Sequence, residues 1–423
     1  MKPRAALLTV AVIVTLITLV SAAWGHERVL HSFHNRPANQ AVAGLVFDSA
    51  GNLYGTTAFG GRAQCFAGCG TVYKLTPISG GGWSYRVIYA FHGGHDGASP
   101  TGTLTLDLAG NLYGTTQGGG SNAWSGGCGT VFELAPSSGG GWTENVLYRF
   151  SGTNGQQPYA GLTLDAAGNI YGTTFVGGSG NCLGGCGVAF ELTPSGGQWN
   201  ETVLYNFTGG NDGAAPVAPM IFDANGNLYG TASTGGVGSC GGATCGVVFE
   251  LTPSGSGWTE NVLYSFKGGK QDGGSPLGAL VFDPSGNLYG TTSNGGSQAC
   301  NDGCGTVFEL TPSANTWTEA VLHRFQGGND GAVPYNVALV LDQAGALYGT
   351  TLLGGRSACT CGTAFKLTPG SNGKWNRSLL EAFDGKNGSN PNAGLIFDAT
   401  GNLYGTAGGG GSDGFGVVFE IKQ

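Results

Sequence analysis

Charge is scarce in this chain: only 10% of its 423 residues are Asp, Glu, Lys or Arg, and no segment is a lysine- or arginine-rich run. Phosphate binding shows as a basic footprint, so a nucleic-acid partner is not expected. The net charge of −8, or −10 once Lys2 and Arg4 are set aside, points the same way. Histidine numbers only six, and there is no His-Glu-x-x-His motif. Helical periodicity is missing too, which removes the phosphate sites that a Gly-rich loop forms when it opens a helix. After the first 25 residues no long hydrophobic run occurs. What is abundant is glycine, 84 residues, beside 21 Phe and 15 Tyr, and an apolar content of 40% argues for a buried core over disorder.

One phrase, Asp-x-x-Gly-Asn-Leu-Tyr-Gly-Thr, recurs seven times, beginning at Asp48, Asp107, Asp165, Asp223, Asp283, Asp342 and Asp398. Two copies vary, with Ile170 for Leu and Ala346 for Asn. A period of 56 to 60 residues means one supersecondary unit copied seven times. Each unit carries four short β-patterned runs; in the fifth these are Ala279 to Phe282, Asn287 to Thr292, Thr306 to Leu310 and Val321 to Phe325. The turns between them are Asp283 to Gly286 and Thr311 to Asn315. The pattern predicts an all-β fold, a seven-bladed β-propeller with four-stranded blades, over a β-solenoid with its shorter coils. The termini sharpen this. Val29 to Phe33 matches a fourth strand and Val417 to Ile421 a third, so an N-terminal strand is expected to complete the last blade and close the ring. Trp83, Trp142, Trp199, Trp258, Trp317 and Trp375 precede their strands at one spacing, and Trp24 is a shifted candidate for a seventh.

The repeat resembles the Gloeobacter–Verrucomicrobia (GloVer) tandem repeat, on Gly44 to Thr57 and its six relatives with the Gly-Thr-Val-Phe-Glu-Leu strand behind them, over most of residues 29–421. The resemblance implies bacterial export and a propeller-like repeat, and it carries no established activity. Relatives use a choice of surface anchors; this sequence ends at Gln423 just after its last strand, so a C-terminal anchor is not expected. A looser likeness, of architecture only, is to kelch propellers.

Residues 1–23 read as an export signal: Lys2 and Arg4, an apolar stretch from Ala5 to Val20, and Ser21-Ala22-Ala23 before Trp24. The small-residue site favours cleavage over retention as a membrane anchor, leaving residues 24–423 as the propeller. A secreted or cell-envelope monomer with no membrane span is the expectation. Eleven cysteines fit that compartment. They fall as Cys65/Cys69, Cys182/Cys186, Cys240/Cys245, Cys300/Cys304 and Cys359/Cys361, with Cys128 alone because Trp124 takes its partner's place. Local disulfides that stiffen Gly-rich loops are the simplest reading. Zinc is the alternative, weakened because no His accompanies the pairs. Cys359 and Cys361, two apart, read as too tight for a relaxed bridge.

Strand alternation puts the Asp-x-x-Gly and Thr-Pro turns on one face of the ring. The Cys loops and the inter-blade crossovers (Gly209 to Pro216, Gly327 to Pro334) fall on the other, where binding is expected. The crossover residues Asp96, Asp212, Asp272 and Asp330, with Asn154 and Asn387 in two units, read as turn residues. The sharper alternative is a carboxylate ring attracting Ca²⁺. Departures from the repeat on this face include Arg62, Arg356, His92 and His95, whereas His31 and His323 stand at a strand Tyr position. Trp124, Tyr159, Phe175 and Tyr335 are candidate aromatic contacts. The leading expectation is a binding module for a glycan or surface protein. A propeller lyase or hydrolase acting on carbohydrate or lactone, and a purely structural repeat, stand behind it.

Overall fold

The computed structural model describes residues 27–34, 38–62, 64–121, 126–255, 257–314, 316–356, 359–371 and 373–423. The expected leader, Trp24 and Trp124 lie outside them. The described residues form seven four-stranded antiparallel sheets arranged as a seven-bladed β-propeller, with no α-helix among them. Blade 1 comprises Val46–Phe47, Leu53–Thr57, Thr71–Ile78 and Gly82–Ala90, running from the central channel to the rim. Blade 7 takes Ile396–Phe397, Leu403–Ala407 and Val417–Ile421 from the end of the chain and Glu27–Ser32 from its start. Val29 pairs with Phe419 and Glu27 with Ile421, so the two ends close the ring as the phase of the repeat requires.

The recurrent phrase is a hairpin whose every residue has a job. Asp48 Oδ1 accepts the Ala50 and Asn52 backbone N–H groups at 3.0 and 2.8 Å; its Oδ2 accepts Asn52 Nδ2 at 2.7 Å and the Tyr54 hydroxyl at 3.0 Å. The Gly of Tyr-Gly-Thr lies under a Phe of the third strand. A Cβ at Gly290 would sit 2.5 Å from Phe308 Cζ. The phrase's Tyr packs edge-on against the next blade's Trp, as in Tyr229–Trp317 with centroids 6.2 Å apart. Aromatic edges thus glue blade to blade.

The outer hairpin is longer than the pattern suggests. In blade 5 the strands run Thr306–Ser313 and Thr316–Arg324, with Pro312 inside the ladder opposite Trp317. The second strand stops pairing at Leu310, so Pro312 sits where no neighbour needs its missing N–H.

All five cysteine pairs are closed as disulfides: Cys65–Cys69, Cys182–Cys186, Cys240–Cys245, Cys300–Cys304 and Cys359–Cys361. The structure adds how deep the two cysteines of each loop sit. Only the first cysteine of each pair belongs to the loop surface, while Cys69, Cys186, Cys245, Cys304 and Cys361 are buried. Cys186 is 1% exposed and packs in one core cluster with Leu204 and Phe207. The reason is position: Cys186 lies two residues before the buried third strand Val188–Ser195, so its side chain already belongs to the core and offers nothing to a ligand. Cys359–Cys361, two residues apart and expected to be too tight for a relaxed bridge, is closed as well. Thr360 takes a left-handed φ of 49°, which folds the chain back and leaves the Cα atoms 5.1 Å apart, an ordinary separation. Cys128 is free and buried. The bridges fit a non-reducing, exported setting. No helix among the described residues is long and apolar enough to cross a membrane.

Candidate functional site at the channel mouth

On the disulfide-loop face each crossover is held twice before it turns into the channel. The residue before the crossover proline is left-handed although not glycine: Ser99, Gln157, Ala215, Ser275, Val333 and Asn390, with Gln40 in the equivalent place, all near φ 55°. Such backbone persists only where neighbours enforce it. Here the N–H of Ser275 donates to the Cys245 carbonyl at 2.8 Å, and its own carbonyl accepts Ser293 N–H at 3.0 Å. Ser99 does the same with Cys69 and Gln117, Ala215 with Cys186 and Ser233, and Val333 with Cys304 and Leu352. The second cysteine of each loop therefore anchors the crossover with its backbone. Two residues further on, the side chain after the proline is delivered to the channel mouth.

Those side chains are Val42, Thr101, Tyr159, Val217, Leu277, Tyr335 and Asn392, one from every blade entry. With Phe175 and Asn336 they line a cavity of 260 Å³. Tyr159 meets Phe175 edge-on at 5.3 Å, and Gln117 donates to its hydroxyl. Burial, and then the facing Tyr335, push the Tyr159 hydroxyl's pKa up, so the group stays a neutral donor. Tyr335 is 44% exposed and free to meet a ligand. Below, the channel narrows to 90 Å³ between small residues such as Gly102, Gly161, Ala338 and Gly394. Aromatic faces, amides and hydroxyls, without a charged side chain, make a lining suited to neutral ligands with mixed apolar and hydroxylated surfaces.

The other expected site residues lie elsewhere on this face. Asp96 accepts the Tyr89 hydroxyl at 2.8 Å, the His92 backbone N–H, and His92 Nδ1 at 2.9 Å. Asp212 takes Tyr205 and the Thr208 N–H, and Asp272 takes Tyr264 and the Lys267 N–H. Asp330 takes His323 at 3.0 Å, the Gln326 N–H, and Arg377 at 3.4 Å. Each carboxylate thus braces the outer strand and the crossover that follows it. Asn154 and Asn387 do likewise through Ser151 N–H and Asp384 N–H. No group of three metal-ligating side chains gathers among the described residues. His95 is exposed and offers its carbonyl to Arg149; Arg62 is exposed, and Arg356 lies 4.0 Å from Asp384. His31 stacks on Tyr85 at 3.8 Å, the packing role its strand position suggested. Of the expected contacts, Tyr159, Phe175 and Tyr335 come together at the mouth. Val42, Thr101, Val217, Leu277 and Asn392 escaped notice, though one signal marks them: they follow the crossover proline, or Ala41 in its place before Val42, where seven otherwise alike copies disagree.

Solved structures with a related overall trace share little sequence. A proposed 6-phosphogluconolactonase from Bacteroides uniformis is 13% identical, with 81% of this chain and 86% of that one covered and a TM-score of 0.48. A protein of unknown function from Dyadobacter fermentans is 13% identical over 93% and 96% of the two chains, TM-score 0.43. One from Lactobacillus plantarum is 14% identical over 83% and 95%, TM-score 0.47. Likenesses this distant carry no argument about activity. No curated protein matches the chain. A family model does match, over residues 15–244 and 239–423, and by that match the chain belongs to the Gloeobacter/Verrucomicrobia repeat family.

Proposed function

We propose that this is an exported propeller, released from its leader after Ala23, that binds a neutral glycan at the channel mouth on the disulfide-loop face. The observation that carries the reading is the mouth itself, where Tyr159, Phe175 and Tyr335 stand beside Asn336, Asn392 and Thr101. A sugar ring has an apolar C–H face that packs on an aromatic ring, and hydroxyls that pair with amides and hydroxyls. At 260 Å³ the cavity lies near the lower end of small-molecule sites, which span ~300–1,000 Å³, so it suits one terminal sugar unit better than a buried chain. Seven braced crossovers make the mouth rigid, which limits the ordering cost of binding. The lyase or hydrolase reading rests on analogy of fold and would gain from a pocket converging on His92, His95 and Asp96; His92 and Asp96 are bonded to each other at the outer end of a crossover, and His95 is exposed.

A screen of neutral oligosaccharides against the purified protein tests this. Binding is expected, and Tyr159→Ala and Tyr335→Ala should each weaken it by roughly tenfold or more, as loss of an aromatic anchor does. Silence across the panel, or wild-type affinity in both folded variants, would remove the proposal.

A further inference from the structure

The seams between blades repeat a second feature, on the rim side. Opposite Leu134, Leu192, Leu251, Leu310 and Ile421 of the third strands stand Glu144, Glu201, Glu260, Glu319 and Glu27 of the fourth. Each reaches back onto the preceding blade. Glu144 faces Asp96 and Tyr89, with Arg149 on its own strand and Arg62 and His92 beside that pair. Glu260 faces Asp212 and Tyr205. Glu319 faces Asp272 and Tyr264, flanked by Arg324 and Lys267. Glu27 meets Glu381, Asp384 and Asn387, and Glu201 meets Tyr148 and Asn154. In all five the Oε1 atom is buried without a hydrogen-bond partner in the protein. Opposite Glu144, Glu260 and Glu319 the aspartates hold the available donors, the Tyr hydroxyl and a backbone N–H, whereas Glu201 faces no carboxylate and its Oε2 accepts the Tyr148 hydroxyl at 3.4 Å. The remaining two seams are built otherwise. Arg377 pairs with Asp330, and Tyr85 stacks on His31.

Two carboxylates side by side in a half-dry seam cannot both ionise cheaply, and the one lacking donors keeps the proton. We infer that the propeller is proton-locked: protonated Glu27, Glu144, Glu260 and Glu319 close four blade seams in mildly acidic surroundings, and their ionisation loosens the rim as the medium turns alkaline. Burial first, and then the neighbouring carboxylates, raise Glu27, Glu144, Glu260 and Glu319 from 4.5 to about 7; burial raises Glu201 as well. Arg149, Arg324 and Lys267 act against this without reversing it. The folded chain holds protons that the unfolded chain releases, so this contribution is complete below about pH 4.5 and is lost as the pH climbs to about 7. Lowered carboxyls such as Asp48 and Asp330 act only at the acid end, below this window.

The test is urea unfolding of the wild type and of Glu144→Gln/Glu260→Gln/Glu319→Gln between pH 5 and 8, with hydrogen exchange of the fourth strands. The wild type should lose stability across the window, its unfolding constant rising at least about tenfold, with rim amides exchanging faster. The Gln variant, which mimics the protonated state at three seams, should lose most of that slope, keeping the share that Glu27 and Glu201 carry, and at pH 8 should be at least as stable as the wild type. If the triple variant does not fold, Glu260→Gln alone should reduce the slope, and Asp212→Asn should move the remaining transition by removing the charge opposite Glu260. A wild type that is flat over this range, or Gln variants that keep its full slope, would overturn the proposal.

Discussion

At the residue scale, the repeated Asp is the keystone of each unit. One carboxylate gathers two backbone N–H groups, an amide and a phenol, so four donors of the hairpin are paired at a single side chain. The turn carboxyls of Asp48, Asp223 and Asp398 are held below their ordinary 3.8, since the hydrogen bonds to the charged form outweigh burial. Their stabilisation is present above that value and fades as the pH falls through the lower folded one. Asp48→Ala should cost about 1–3 kcal/mol, the range for stranding buried donors, and blunt the acid limb of a pH-stability profile. A chemical-denaturation series from pH 2 to 5 reads both. An unchanged acid limb would show that the turn carboxyls do not titrate in step with folding. Tight packing at Gly290 is equally specific. No side chain can grow there without moving the Phe308 ring.

At the scale of elements, the disulfide loops do more than cap strands. The bridges close rings only four residues apart in most loops, so the chain-entropy model gives each about 2 kcal/mol, less than a long-loop bridge. Their larger effect is positional, because the second cysteine's carbonyl holds the left-handed residue that aims the mouth side chain. Unreduced protein in denaturant should show one reactive thiol, Cys128, against eleven after reduction. Thiol labelling with mass spectrometry counts them, and five or more before reduction would refute the bridges. Pairing was legible from spacing alone. The burial of Cys186 and its counterparts was not, because it depends on the neighbouring blade packing over the loop's end. The Cys359–Cys361 bridge was among the pairs the spacing gave; the left-handed angle at Thr360 that accompanies it was not visible.

At the scale of the whole molecule, closure depends on six residues from the start of the chain. The third strand of blade 7, Val417–Ile421, is fully buried only because Glu27–Ser32 pairs with it. Deleting residues 1–33 should expose that edge, abolish the seam at Glu27, and convert cooperative unfolding into a broad transition with self-association. Sedimentation and calorimetry would register the change; a monomer that unfolds as sharply as the intact chain would contradict the closure role. The same closed ring makes the seams act together, so a proton-dependent change in several of them is felt as stability of the whole.

Blade number, strand order, the closing strand and the face carrying the loops were all legible in the sequence, because each is a matter of phase in a repeat and phase survives without coordinates. The aromatic pair Tyr159 and Tyr335 was also visible as a departure from that repeat. What the tertiary structure alone decided is which departures meet. His92 and Asp96 look like a polar constellation along the chain, yet they end up bracing one strand near the rim. Val42, Thr101, Val217, Leu277 and Asn392, unremarkable and scattered over three hundred and fifty residues, converge on one opening. Glu144 and Asp96, 48 residues apart, become neighbours only when blade 2 packs against blade 1. A repeat fixes what each unit does alone, and ring closure sets the distances between units.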